Sequence, residues 1–242
     1  MTTTQGFGGA PYKKPFSFSY SRLKNFETCP KRHYHCDIVK DFKEDEGEQL
    51  LWGNAVHKAL ANRIGKDIPL PIGMEHYERW CLRILTPPGK GIILVEQQLA
   101  IDEDFGATEW FDSDARKKGK KLPWYRGIGD VIKIVGPVAL IIDWKTGKIL
   151  EDSQQLALMA AVVFAHHPEV MKVRSEFVWL MHDATTRKDF HRNEMADMWR
   201  HLWPRIEALK YAHDTTSYPA KQGGLCRRYC PVTSCPHNGA NQ

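Results

Sequence analysis

The sequence predicts an α/β fold with a small central mixed β-sheet flanked by helices. Two β-branched runs, residues 127–135 and 138–144, flank a Gly136-Pro137 turn and read as neighbouring strands. Segments of helical periodicity precede and follow them. One of these, SQQLALMAAVVFAHH at residues 153–167, is apolar on most sides, as a helix buried against a sheet would be. No repeat and no long linker divides the chain, so residues 16–242 read as a single domain behind a flexible Thr/Gly/Pro tail, residues 1–15.

In chain order, residues 17–40 read as a helix capped by Ser17 or Ser19, with Leu23, Phe26 and Cys29 on or near one face and a break at Pro30. Residues 41–49 form an acidic loop. A second helix covers about 50–64 and carries GNAVHKAL; a third covers 74–85 and ends at TPPGKG. Residues 92–102 mix β-branched and polar side chains like a strand, and 103–125 read as a long polar loop. After the two strands and the buried helix come a strand at 175–182, a short edge strand around TRKDFH and an amphipathic helix from Asn193 to about His213, kinked at Pro204. The remainder, from Ser217, is a cysteine-rich loop.

The chain has 242 residues, a 42% hydrophobic share and eight tryptophans, enough to bury an ordinary core. No apolar run is long enough to span a bilayer, and MTTTQGFGGAPYKKP lacks the apolar segment of a secretory signal, so the expected location is the reducing cytoplasm. The absence of a G-x-x-x-x-G-K-[ST] loop excludes a helicase motor within the chain. A net charge of +5 permits a polyanionic partner. The densest basic stretch is ARKKGKK, residues 115–121. Its Lys117, Lys118, Lys120 and Lys121 are candidate DNA phosphate contacts, weighed evenly against a solvated charged loop. Trp110 and Trp124 beside it could stack on bases or pack beneath the loop. Six cysteines in a reducing compartment favour a metal over disulfides, and Cys226, Cys230 and Cys235 are clustered.

The second strand of the pair ends in Asp143-Trp144-Lys145 rather than in turn residues. Alternation puts 143 and 145 on one face, a carboxylate beside an ammonium, while Asp130 sits on the preceding strand. Asp130 and Asp143 could converge on one Mg2+ or Mn2+ ion, hard cations that prefer carboxylate oxygen. Lys145 could stabilise the charge that develops on an attacked phosphate, or orient the water. Two acids and a lysine are the minimal parts for metal-assisted phosphodiester hydrolysis.

GIGDVIKI…LIIDWKTGK resembles the core of the PD-(D/E)XK nuclease superfamily, in particular its RecB-like branch, in which a G-x-D strand is followed by a strand ending in D-x-K-T-G. SYSRLKNFETCPKRHYH resembles the N-terminal helix of that branch, GNAVHKAL its G-x-x-x-H helix, and CRRYCPVTSC its C-terminal cysteine cluster; the matches run in family order from Ser17 to Cys235. The resemblance implies a restriction-endonuclease-like core, with Asp130 and Asp143 as carboxylate metal ligands, His57 as a further ligand and Lys145 as the catalytic lysine. Glu96 stands where some members carry a functional acid and is read here as an ordinary strand glutamate. The branch's Q-x-x-x-Y is broken: Gln155 fits and is placed to touch the site or the DNA, but Met159 replaces the tyrosine.

The resemblance also favours a 4Fe-4S cluster joining the chain ends through Cys29, Cys226, Cys230 and Cys235, similar to CRISPR-adaptation and AddB-type iron-sulfur nucleases. The middle cysteine is shifted by one position from the usual spacing, which leaves zinc open, with His237 as a candidate ligand. Cys36 and Cys81 read as buried or incidental thiols. The expected function is a Mg2+- or Mn2+-dependent deoxyribonuclease, in first place an exonuclease. It would act on DNA of single-stranded character with a helicase or recombination partner, in a bacterial or phage-infected cell, in DNA repair, recombination, phage replication or CRISPR adaptation. The alternative is a catalytically inactive nucleic-acid-binding module of the same fold.

Overall fold

The computed structural model describes residues 14–44, 47–86, 91–111, 118–150 and 152–241. Residues 1–13 of the expected tail and the candidate DNA contact Lys117 lie outside them. The first helical segment is three pieces rather than one. Helix α1 (Tyr20–Thr28) is capped by Ser19, whose hydroxyl accepts from the Arg22 N–H at 3.4 Å. Cys29 is extended (φ −161°), and Pro30 opens α2 (Pro30–His33) at a position where its missing N–H costs nothing. A π-helical turn, Tyr34–Val39, follows and stops at Lys40 in the left-handed region.

Helices α3 (Glu48–Lys66) and α4 (Glu78–Leu85) precede a six-stranded mixed sheet. Its strands are β1 (Ile92–Ile101), β2 (Ala107–Thr108), β3 (Tyr125–Val135), β4 (Val138–Lys145), β5 (Lys172–Trp179) and β6 (Ala184–His191), in the order β2-β1-β3-β4-β5-β6. Only β4 and β5 run parallel, because α5 (Gln154–His166) carries the chain back across the sheet between them. Helix α6 (Met195–Thr215) continues through Pro204. None of the described helices is long and apolar enough to cross a membrane.

Each sheet face has its own core. On one face Ile132, Ile134, Ala139 and Ile141 pack with α5, α6 and Phe18. On the other Val131, Ile142 and Trp144 pack with Val56, Leu60, Cys81 and Ile84 of α3 and α4. Trp124 is buried against Phe18, Phe105, Trp199 and Trp203, so it packs and does not offer a stacking face.

Strands β1 and β3 change sides midway. Ile93 and Val95 of β1 face the α3/α4 core, yet Leu99 and Ile101, also at odd positions, face the α5/α6 core. Val131 and Tyr125 of β3 divide in the same way. The register is unbroken, with Val95 opposite Val131 and Gln97 opposite Gly129, but the rung between them, Glu96 and Asp130, is unpaired. Glu96 makes the turn possible with a left-handed backbone, φ 50°. A non-glycine residue held there stores strain of about 1–3 kcal/mol, of the kind that collects at functional sites.

Candidate active site

The strands part again on the other side of Asp130. Ladder pairing between β3 and β4 ends at Val131–Ile142. The next N–H, that of Trp144, donates instead to Asp130 Oδ2 at 2.7 Å. The carboxylate thereby satisfies a buried backbone donor that the ladder leaves behind. Helix α3 brings His57 to the same place. Its Nδ1 lies 3.4 Å from Asp130 Oδ2. The approach depends on Gly53, one turn earlier, where an added Cβ would come 3.0 Å from Thr146 Oγ1. Glu96 completes the group: one ligand atom each from His57, Glu96 and Asp130 lies within 4.8 Å of the other two.

Asp143 and Lys145 share a face, as alternation requires, and Lys145 Nζ lies 2.5 Å from Asp143 Oδ2. The first turn of α5 supplies a clamp. Gln155 donates through Nε2 to Asp143 Oδ1 at 2.7 Å and accepts from Lys145 Nζ at 3.1 Å. The ammonium also sits 4.8 Å from the centre of the Phe177 ring. Asp143 Oδ2 is buried and, the ion pair aside, has no hydrogen bond among the described residues. Burial pushes the Asp143 carboxyl up to about 6; Lys145 opposes that and the negative Asp130 adds to it. Burial alone would depress His57, but its hydrogen bond to Asp130 and the charges of Asp130, Asp143 and Glu96 outweigh this and raise it. Burial and the Asp130 charge raise Glu96.

Most of the sequence-predicted site residues thus converge: His57 with Asp130, and Asp143 with Lys145 and Gln155. Asp143 lies outside the 4.8 Å group, and Glu96, expected to be an ordinary strand glutamate, lies inside it. The signal that bore on Glu96 was the resemblance, in which some members carry a functional acid at this place. Met159, which stands where the resemblance would place a tyrosine, is buried above two glycines of β3: a Cβ at Gly127 would come 2.6 Å from its sulfur, and one at Gly129 would come 3.2 Å from its methyl. A groove of about 1030 Å³ opens from His57, Glu96 and Lys145 along α3 and β1.

The four candidate cluster cysteines lie elsewhere, where the tail meets α1 and α2. Lys31 N–H donates to the Pro219 carbonyl at 3.2 Å, Lys221 Nζ to the Glu27 carbonyl at 2.6 Å, and Lys221 N–H to Cys29 Sγ at 3.4 Å. Gly223 N–H donates to Cys226 Sγ at 3.4 Å. Burial raises the Cys230 thiol, and the neighbouring Cys226 and Cys29 add to that shift. Cys235 is buried. Lys118 and Lys120 are exposed, and Lys121 pairs with Asp104.

A family model for the PD-(D/E)XK nuclease superfamily matches residues 17–236. Among solved structures, that of SSO0001 is 13% identical, covers 94% of this chain and 89% of its own, and has a TM-score of 0.45. One named "Putative exonuclease" from Eubacterium rectale is 13% identical, covers 92% of this chain and 88% of its own, and has a TM-score of 0.49. No curated protein sequence matches.

Proposed function

Since the chain belongs to the PD-(D/E)XK nuclease superfamily, we propose that it is a Mg2+- or Mn2+-dependent deoxyribonuclease of the RecB-like branch, acting as an exonuclease. The observation that carries this is the meeting of an imidazole and two carboxylates at His57, Glu96 and Asp130, beside the Asp143–Lys145–Gln155 clamp. The donor set fits a divalent ion. It is rich in carboxylate oxygen with one imidazole, and the buried Asp143 Oδ2 has no partner among the described residues but the Lys145 ammonium. His57, Asp130 and Asp143 would hold the ion, with Glu96 as a further donor. When bound, it polarises a phosphodiester and makes a coordinated water acidic.

The residues of the chain do the rest. Gln155 fixes both Asp143 and Lys145, so the ammonium is already aimed when substrate arrives and costs little reorganisation as charge develops. Lys145 would donate to the phosphate oxygen on which that charge grows. Asp130 is locked by the Trp144 N–H and presents its carboxylate in one orientation.

Cys29, Cys226, Cys230 and Cys235 would hold a 4Fe-4S cluster. N–H groups already directed at the sulfurs of Cys29 and Cys226 support this, as does the strapping of the tail onto α1. Anaerobic purification followed by absorption spectra and iron and zinc analysis tests it; a colourless protein with one equivalent of zinc would replace the iron assignment.

End-labelled single-stranded DNA incubated with Mn2+ or Mg2+ tests the nuclease. Metal-dependent cleavage is expected, with a loss of at least about a hundredfold in Lys145→Ala, the scale of one lost electrostatic group in a preorganised site. No cleavage of DNA that the protein demonstrably binds would instead make it a binding module; equal cleavage by both proteins would show that the site is misassigned.

A further inference from the structure

A second cavity, of about 630 Å³, lies where the start of β3 meets α1, the π-helical turn and α6. Arg126 reaches it from β3, four residues before Asp130 and so roughly 13 Å away along the strand. Arg22 reaches it from α1 and Lys40 from the end of the π-helical turn, while Phe16, Phe111 and Tyr218 give it aromatic walls.

Its charge is unbalanced. Arg126 is half-buried, and its donors go only to neutral oxygens: Nε to the Trp110 carbonyl at 3.0 Å and Nη1 to Ser17 Oγ at 3.2 Å. Burial holds Arg126 below the usual arginine range, and the guanidinium charge of Arg22 adds to this. The acid in the cavity wall, Asp37, is engaged by His33 Nδ1 at 2.7 Å and Asn25 Nδ2 at 3.0 Å, and the Arg22 charge acts on it as well. Two guanidinium groups and Lys40 share the cavity with a single carboxylate, Asp37, among its described lining residues, an excess of positive charge that an anion would offset. The aromatic wall is accessible as well: Phe111 is 77% exposed, a large apolar ring left open beside cations.

We propose that this cavity binds a nucleotide unit, its phosphate between Arg22 and Arg126 and its base against Phe111. Guanidinium pairs suit phosphate because their planar donors match its oxygens, and aromatic faces take any base by stacking. The nucleotide has two sources, a residue of a single strand whose other end lies in the cleavage site, or a free nucleotide. Binding here requires no cleavage chemistry, so it stands or falls separately from the nuclease assignment.

The test is done in EDTA with the full chain, titrating a thymidine pentanucleotide and free dTMP at about 0.1 M salt. Variants are Arg126→Ala, Arg22→Glu and Phe111→Ala. Arg22 is exposed on α1, so its reversal spares the core if Arg126→Ala fails to fold. For a strand-borne nucleotide, pentanucleotide affinity falls at least tenfold in the arginine variants and about fivefold or more in Phe111→Ala. The salt slope of log affinity also drops by about one for each arginine lost. For a free nucleotide, dTMP binding is lost and pentanucleotide binding is retained. Unchanged affinity of both probes in folded Arg22→Glu and Phe111→Ala overturns the proposal.

Discussion

At the scale of single residues, the metal-free site is under electrostatic load. Asp143, with a carboxyl pKa near 6, and His57, raised above its ordinary value, both bind protons more tightly in the folded chain than in the unfolded one. Their contribution to stability is full below the unfolded pKa values and is lost as the pH rises through the folded ones. Melting of the metal-free protein should therefore move to lower temperature between pH 5.5 and 8. Divalent metal needs the deprotonated forms, so the stabilisation by Mn2+ should be larger at pH 8 than at pH 5.5. A melting temperature that rises with pH in EDTA would remove this account. Glu96→Gln should cut Mn2+ affinity at least about tenfold, measured by calorimetry, with the fold intact. The pairing of Asp143 with Lys145 was legible because a strand ending in an acid and a base is unusual for a turn. The place of Glu96 beside His57 and Asp130 was not, because it comes from a left-handed backbone and a facing rung, neither of which shows in residue type.

At the scale of elements, α5 is held against β3 by what β3 lacks. With glycine at 127 and 129, the Met159 side chain fits directly over the strand. Placing a tyrosine here with Met159→Tyr should overpack this contact and cost about 1–3 kcal/mol in chemical denaturation, without improving any activity. A similar constraint governs the tail, where a Cβ at Gly239 would come 2.1 Å from the Arg227 carbonyl. Gly239→Ala should therefore loosen the cysteine-rich tail, visible as faster proteolysis there. Most element positions followed from periodicity and caps: the expected helix at 153–167 is Gln154–His166, and the expected strands at 127–135 and 138–144 are Tyr125–Val135 and Val138–Lys145. The misses have local causes. Strand β2 is two residues long and exists only through its partner β1. Strand β5 starts at Lys172, three residues early, because neighbours on both sides pair it through a polar stretch. The π-helical turn has no distinct periodic signature.

At the scale of the molecule, the tail strap ties Lys31 and Cys29 to Pro219 and Lys221. A cluster there would close a loop of roughly 200 residues, the kind of closure that most restricts an unfolded chain. Its removal by oxidation or chelation should expose both ends to protease together; unchanged resistance would mean that the backbone contacts suffice. The class of fold was legible from the alternation of apolar runs and helical segments. The strand order was not, because the single parallel pair depends on which way α5 crosses, and no residue pattern encodes that direction.

The change of sides at Glu96 has a further consequence, for how such a protein can vary. Ile93 and Val95 feed one core, and Leu99 and Ile101 feed the other. The strand is a crank whose two arms are held in opposite bearings. Gaining or losing one residue between Val95 and Leu99 would turn a whole arm outward, a misfolding that no local adjustment repairs. Variation in length is thus eliminated by the bearings before it reaches the chemistry at the bend, and the acid at that bend inherits the protection of two hydrophobic cores it does not belong to.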